Sequence, residues 1–85
     1  MKVKILYLAS LREQLGKPGE DLEIPPATST VAGLRTLLMA RGGAWQTVLA
    51  QGRALRVAVN QDMAAANAPL NQGDEVAFFP PVTGG

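Results

Sequence analysis

The amino-acid sequence predicts an α+β domain of two layers, in which one main helix packs on one face of a mixed β-sheet. Its 85 residues provide for one domain with a modest hydrophobic core. Its periodic segments follow the order strand, strand, helix, strand, weak strand, strand, which is typical of a helix covering one side of a sheet. Only residues 31–41 have the spacing expected of the main helix.

The strands are predicted from apolar and β-branched residues that alternate with polar ones. Their positions in chain order are 2–9, 21–24, 55–59, a weak segment at Met63, and 75–79. Because side chains alternate along a strand, one face should carry the core. The predicted core residues are Val3, Ile5, Tyr7, Leu22, Ile24, Val57, Val59, Val76 and Phe78, covered by Leu34, Leu37 and Leu38. The opposite face should carry Leu6, Leu8, Ala58, Ala77 and Phe79, with Met63 at its edge. An apolar face without a covering helix predicts a binding surface.

Local signals define the helix ends. Residues 28–30 offer three hydroxyl side chains as N-caps of the main helix, and Gly42–Gly43 should end it. Gly33 inside this helix indicates close packing against another backbone. The sequence from Ser10 to Glu13 matches a capping box that would begin a short helix after the first strand. Trp45, Val48 and Leu49 repeat the helical spacing once more before Gly52.

Composition excludes several classes of function. The chain has no cysteine and no histidine, which excludes disulfides, thiolate nucleophiles and the usual zinc sites. A net charge of +1 with a single Trp and a single Tyr does not favour nucleic-acid binding. No apolar run is long enough to span a bilayer and the start lacks the features of a secretory signal, so we expect a cytoplasmic protein.

The last residues predict a stiff arm that leaves the fold. Pro80–Pro81 cannot continue a central strand, and from Pro80 to Gly85 an extended chain reaches about 20 Å. Gly84 and Gly85 lack Cβ atoms and suit a narrow channel, so the tail is predicted to deliver the Gly85 carboxylate into another protein's active site. We therefore expect a domain at residues 1–80 and a flexible GlyGly tail at 81–85.

Nearly the whole chain resembles the small subunit of molybdopterin synthase, the sulfur carrier of molybdenum cofactor biosynthesis. The specific part is residues 73–85, which read Gly-Asp-Glu-Val-Ala-Phe-Phe-Pro-Pro-Val-Thr-Gly-Gly. The opening segment 3–16, with Leu-Arg-Glu after a hydrophobic strand, and the turn at 58–61 are also similar. Residues 18–52 match in pattern more than in residue identity.

The resemblance implies a ubiquitin-like β-grasp, in which the first and last strands lie side by side at the centre of the sheet. It also implies that an E1-like activating enzyme uses ATP to adenylate the Gly85 carboxylate, which then becomes a thiocarboxylate with sulfur from a sulfurtransferase or cysteine desulfurase. The tail would enter the large subunit of a heterotetrameric synthase and give its sulfur to cyclic pyranopterin monophosphate. This chain would be the non-catalytic sulfur donor and would bind no cofactor itself. The partner-binding residues implied are Leu8, Met63, Phe79, Pro80, Pro81, Val82 and Thr83, followed by Gly84 and the reacting Gly85.

The lack of cysteine agrees with the function that the resemblance implies. Without a cysteine the chain cannot hold a persulfide, so any sulfur that it carries must be at the Gly85 carboxyl group. Three alternatives remain open from the sequence. The chain could be a sulfur carrier of the thiamine type, a ubiquitin-like modifier that joins Gly85 to lysines of other proteins, or an interaction module whose tail has no role.

Overall fold

The computed structural model describes residues 1–50 and 54–81. Two predictions lie outside the described residues. They are the helix end at Gly52 and the site residues Val82, Thr83, Gly84 and Gly85. The described part has five strands, three α-helices and a 3₁₀ turn at Pro26–Thr28. The strands are β1 (Lys2–Tyr7), β2 (Gly19–Glu23), β3 (Arg56–Val59), β4 (Asp62–Met63) and β5 (Glu75–Phe79). The helices are α1 (Ser10–Leu15), α2 (Val31–Met39) and α3 (Gly43–Val48).

The five strands form one mixed sheet in the order β2-β1-β5-β3-β4. β1 and β5 are parallel neighbours at its centre, with Ile5 opposite Val76 and Tyr7 opposite Phe78. The other neighbouring pairs are antiparallel. The predicted pairing of the first and last strands is therefore confirmed, as is the prediction that Met63 lies on an edge strand.

The core lies between the sheet and α2. Leu34 and Leu38 of α2 are fully buried against the inward residues of β1 and β5. Most of the predicted core is confirmed, although Leu22, Leu37 and Val59 are only partly buried against it. Leu11, Leu49 and Leu70 complete the core from α1 and from two loops, whose contribution the periodicity of the strands did not reveal.

Side-chain capping is confirmed for α2 and is wrong for α1. The Thr30 hydroxyl accepts a hydrogen bond from the Gly33 amide at 3.0 Å, as an N-cap should. The residue preceding α1 is Ala9, with φ 52°, and it makes no side-chain cap, so Ser10 is already helical and the predicted capping box does not form. The reason is that the Leu8 amide still donates to the Phe78 carbonyl at 3.0 Å, which leaves only Ala9 to turn the chain from strand to helix.

Gly33 lies where α2 approaches the 3₁₀ turn closely. A Cβ atom at this position would lie 3.2 Å from the Thr28 methyl group and 3.3 Å from the Thr28 backbone. The predicted close approach of two backbones is confirmed. No helix in residues 1–50 and 54–81 has the length and apolar character needed to cross a membrane.

Candidate functional site: the outer face of the sheet and the tail exit

The outer face is the side of the sheet that points away from α2. One row of register partners crosses it, from Met63 on β4 through Ala58 and Ala77 to Leu6 on β1. Ala58 and Ala77 are each only 8% exposed, yet neither belongs to the core cluster between the sheet and α2. Short side chains at the middle of the row, with larger ones at both ends, make this face apolar and shallow.

Two residues of the predicted partner surface are the exposed large hydrophobic side chains of the described chain. Leu8 is 41% exposed and Met63 is 60% exposed. Phe79, the third, is half-buried at the end of β5. The hydrogen bond from the Leu8 amide to the Phe78 carbonyl brings Leu8 beside Phe79. Met63 is level with Ala77 and two strands away from β5, so it lies more than about 10 Å from Phe79 for the usual strand spacing.

The chain leaves the sheet at the end of its central strand. β5 is the central strand, it ends at Phe79, and Pro80 and Pro81 follow as half-buried residues outside any strand. Neither proline has an amide N–H to donate, so the sheet cannot be extended through them. The tail therefore starts next to Leu8 and Phe79, and a protein that covers this part of the outer face also meets the start of the tail.

Charged side chains are distributed unevenly over the outer face. On β1, Lys2 lies opposite Glu23, and Lys4 lies between Asp21 and Glu75 in the neighbouring strands. On β3, Arg56 lies opposite Phe79 and is exposed. The end of the face at which the tail begins thus presents a guanidinium beside apolar side chains, while the far end mixes both signs of charge.

A polar latch fixes β5 relative to the β3–β4 hairpin. Asn60 and Gln61 form the turn with φ 51° and φ 71°, a left-handed conformation that asparagine tolerates better than most residues. The Asn60 side chain accepts from the Glu75 amide at 3.0 Å and donates to Asp74 at 2.9 Å. These hydrogen bonds give residues 58–61 a structural role. They fix the register in which Met63 lies opposite Ala58 and Ala58 lies opposite Ala77.

A second polar cluster holds the edge strand β2 to the helical layer. The buried Tyr7 hydroxyl donates to Glu20 at 2.8 Å, and Arg41 donates two hydrogen bonds to the same carboxylate, each at 2.8 Å. The Arg41 guanidinium also lies 4.5 Å from the centre of the Trp45 ring. Trp45 in turn meets Tyr7 edge to face at 5.3 Å and packs against the core as a partly buried residue.

The electrostatics of this cluster follow from those contacts. The hydrogen bonds from Arg41 lower the pKa of Glu20 from its ordinary value of 4.5 to about 2. Burial, with the hydrogen bond to Glu20, raises the pKa of the Tyr7 hydroxyl. The Glu20 carboxylate is thus ionised at neutral pH and occupied by its partners, and the cluster acts as a structural tie between layers.

The side chains of residues 1–50 and 54–81 form no cluster suited to holding a metal ion. In the same residues, every buried side-chain nitrogen or oxygen atom has a hydrogen-bond partner. What this part of the chain offers is an apolar outer face with the start of a tail beside it.

Comparison with known proteins shows the family to which this chain belongs. The model of the ThiS family matches residues 5–85. The chain belongs to the ThiS family. It is 42% identical over 83 residues to the molybdopterin synthase sulfur carrier subunit of Escherichia coli (strain K12), an alignment that covers 98% of this chain and 99% of that protein. The resemblance noted in the sequence is therefore confirmed.

Solved structures confirm the ubiquitin-like β-grasp for this ThiS-family chain. SAMP1 from Haloferax volcanii superimposes with a TM-score of 0.81 and 26% identity, covering 100% of both chains. A chain in the complex of subunits 1 and 2 of the molybdopterin-converting factor from Helicobacter pylori 26695 also covers 100% of both chains, with a TM-score of 0.68. At 21% identity, this second likeness concerns the fold alone.

The structure adds one residue that the sequence reasoning missed, Arg56. Alternation along residues 55–59 places it on the same side as Ala58, so its face could have been inferred. Its position opposite Phe79 depends on the register between β3 and β5, which periodicity does not determine.

Proposed function

We propose that this ThiS-family chain is the sulfur carrier subunit of a molybdopterin synthase. The observation that carries the proposal is the 42% identity to a protein of that name over nearly the full length of both chains. The architecture suits the task, because an apolar docking face and the start of a tail lie at the same end of the central strand.

In this proposal the outer face docks on the large subunit of the synthase. Leu8, Met63 and Phe79 supply the apolar contacts, and burying exposed apolar surface of this kind contributes about 25 cal/mol per Å². Pro80, Pro81, Val82 and Thr83 line the entry of the tail. Docking then fixes where the tail starts, so that Gly84 and Gly85 are directed into the large subunit's active site at little further entropic cost.

The proposed chemistry takes place at the Gly85 carboxyl group. A carboxylate is a poor electrophile at neutral pH, so an E1-like activating enzyme first joins it to AMP from ATP and releases pyrophosphate. The terminal sulfur of a persulfide on a sulfurtransferase or cysteine desulfurase then displaces AMP and forms an acyl disulfide. A second thiol attacks the donor-side sulfur of that S–S bond, so that the thiocarboxylate is released and a disulfide remains with the donor. In the synthase the thiocarboxylate sulfur bonds to cyclic pyranopterin monophosphate, and water then cleaves the resulting thioester, so that the sulfur stays on the pterin and the carrier returns as the ordinary carboxylate. The chain itself binds no cofactor, and ATP is used only by the activating enzyme.

The decisive experiment separates activation from transfer. Chemically thiocarboxylated carrier is mixed with the large subunit and cyclic pyranopterin monophosphate in the absence of ATP, and carrier consumed is counted against molybdopterin formed. A dithiolene contains two sulfur atoms and each carrier holds one, so two carriers should be consumed for each product. Product from the unmodified carboxylate form, or one carrier per product in a single turnover, would overturn the mechanism.

A protein modifier is the second candidate, because the chain superimposes over its full length on SAMP1, whose name stands for small archaeal modifier protein 1. The two functions differ in where Gly85 ends up. A carrier returns with a free carboxylate, whereas a modifier appears in cell extracts as conjugates of higher mass. Extracts probed with an antibody to this chain should show the unconjugated form alone if the carrier function is right. Formation of a thiazole precursor in place of molybdopterin would instead indicate a carrier of the thiamine type.

A further inference from the structure

Arg56 is the outer-face cation nearest to the start of the tail in the sheet register. It lies on β3 directly opposite Phe79, the last residue of β5, and two residues before Ala58 on the same side of the strand. Arg56 is exposed, and its guanidinium makes no hydrogen bond or ion pair within the described residues. It therefore borders the apolar docking face where the tail leaves it.

The other cations of the described sheet, of α2 and of the turn that follows α2 have partners or nearby carboxylates. Lys2 and Lys4 face carboxylates in the neighbouring strands. Arg41 is bound to Glu20, and Arg35 donates to the carbonyls of Leu49 and Ala50 at the end of α3, at 2.7 and 2.6 Å. Arg56 faces a phenyl ring instead of a carboxylate. Its charge is thus available to a molecule that covers the outer face.

Position separates Arg56 from the proposed chemistry. Six residues connect Phe79 to Gly85, and an extended tail of that length carries the reacting carboxyl group up to about 20 Å away. An arginine at the beginning of such a tail contacts the surface on which the domain docks and stays away from the group being transferred. Arginine and aromatic residues are also both enriched in protein interfaces.

We propose that Arg56 is a specificity-determining residue of the docking face, and that the large subunit places an aspartate or glutamate carboxylate opposite it, next to the pocket that receives Phe79. This inference rests on the proposed function. A guanidinium and a carboxylate can form two parallel hydrogen bonds, which adds orientation to attraction. The pair would fix the rotation of the domain on its partner and so the direction in which the tail enters.

The test compares two substitutions that remove the same charge from the same face. Binding of the unmodified carrier to the large subunit from the same genome is measured for the wild type, Arg56→Gln and the control Lys4→Gln, and also for the charge reversal Arg56→Glu. At low salt we expect Arg56→Gln to weaken binding roughly 5-fold and Arg56→Glu roughly 30-fold, while Lys4→Gln changes it by less than about 2-fold. In about 1 M salt, where the Debye length is about 3 Å, the penalty of Arg56→Glu should shrink markedly. All three variants should melt at the wild-type temperature, because both positions are exposed.

Equal effects of Arg56→Gln and Lys4→Gln would overturn the inference and leave the proposed function intact, as would an Arg56→Glu variant that binds as tightly as the wild type. A wild-type carrier that does not bind the large subunit would overturn the proposed function, and the role of Arg56 with it.

Discussion

The two sides of β5 show how one strand serves two purposes. Val76 and Phe78 point inward and are fully buried, whereas Ala77 and Phe79 point outward, where none of the described helices covers them. Phe78 and Phe79 are the same residue type at adjacent positions, yet Phe78 stacks on Tyr7 within the core and Phe79 is half-buried at the tail exit. Free energy of unfolding should therefore depend on the inner residues and partner binding on the outer ones.

This separation matters for a domain of 85 residues, because proteins of this size are stabilised by only a few kcal/mol. An apolar residue on the outer face contributes little free energy of burial to folding, because its surface stays in water until a partner covers it. The chain balances this by burying large side chains on one face and keeping small ones, Ala58 and Ala77, at the centre of the other. Substitutions on the two faces of the same strand should consequently fail in different ways.

The largest expected effect is that of Val76→Lys on the inner face. The Val76 side chain is fully buried in the core, so an ammonium group at this position would be buried without a partner. We expect a loss of more than about 4 kcal/mol, which is enough to unfold the domain. Loss of the cooperative transition in urea, followed by circular dichroism, would show it. A folded Val76→Lys variant would mean that the two faces have been assigned the wrong way round.

Removal of Gly85 should have the opposite character, with complete loss of sulfur transfer and almost no change in stability. The buried hydrophobic residues of the described chain all lie between Val3 and Phe78, so shortening the tail removes no member of this core. The measurements are molybdopterin formation and a thermal melt on the same sample. Adding one residue after Gly85 should act in the same way, since the reacting carboxyl group is displaced. A loss of several kcal/mol on deletion would instead assign the tail a structural role.

Phe79→Lys should come next, weakening binding to the large subunit and to the activating enzyme by roughly 30-fold or more, as expected for an aromatic anchor. The isolated domain should still fold, because the new ammonium group can reach water from the end of the strand. Titration with the large subunit measures the first effect and a thermal melt the second. Thr36→Lys, on the exposed side of α2, is the matched control and should leave binding unchanged. If Phe79→Lys unfolds the domain, the outer face is part of the core.

The sequence was a good guide wherever a periodic pattern determines the answer. Alternation along β1 and β5 assigned Ile5 and Val76 inward and Ala77 and Phe79 outward because each strand residue points to the side opposite its neighbour. The capping box predicted from Ser10 is wrong. The Leu8 amide is still paired with the Phe78 carbonyl, so the chain turns at Ala9, and Ser10 lies inside the helix although serine prefers the N-cap position. Periodicity describes faces well and describes junctions between elements poorly.

The candidate site was predictable to the same extent. Leu8, Met63 and Phe79 were placed on one face from alternation and family resemblance, and the structure shows them there. Arg56 was missed in the candidate site because its significance depends on Phe79, a neighbour from a distant segment. Glu20 was missed as a structural tie for the same reason, since it depends on Arg41 and Tyr7. Such contacts follow from register and packing, which a single sequence does not encode in any local pattern.

The smallest expected effect concerns Glu20, the polar exception on the inner side of the sheet. Its pKa is about 2 in the folded protein and 4.5 ordinarily, so its contribution to stability is complete above about pH 4.5 and is lost as the pH falls through about 2. Glu20→Gln should cost about 2 kcal/mol at neutral pH, because glutamine has no negative charge and its single side-chain oxygen cannot accept all three hydrogen bonds. Urea unfolding of both proteins should show this difference narrowing steadily as the pH is lowered toward 2.

Two further variants identify which neighbour is responsible. Arg41 is the main cause of the lowered pKa of Glu20, so Arg41→Gln should remove most of the pH dependence between 4.5 and 2. Tyr7→Phe keeps the buried ring and removes one hydrogen bond, so it should cost about 1 kcal/mol and leave most of that dependence in place. The reverse result, with Tyr7→Phe flattening the profile and Arg41→Gln preserving it, would show that the buried hydroxyl holds the carboxylate in its ionised form. In either case molybdopterin formation at neutral pH should stay at the wild-type level, because the cluster ties β2 to the helical layer and lies on the side of the sheet away from the docking face.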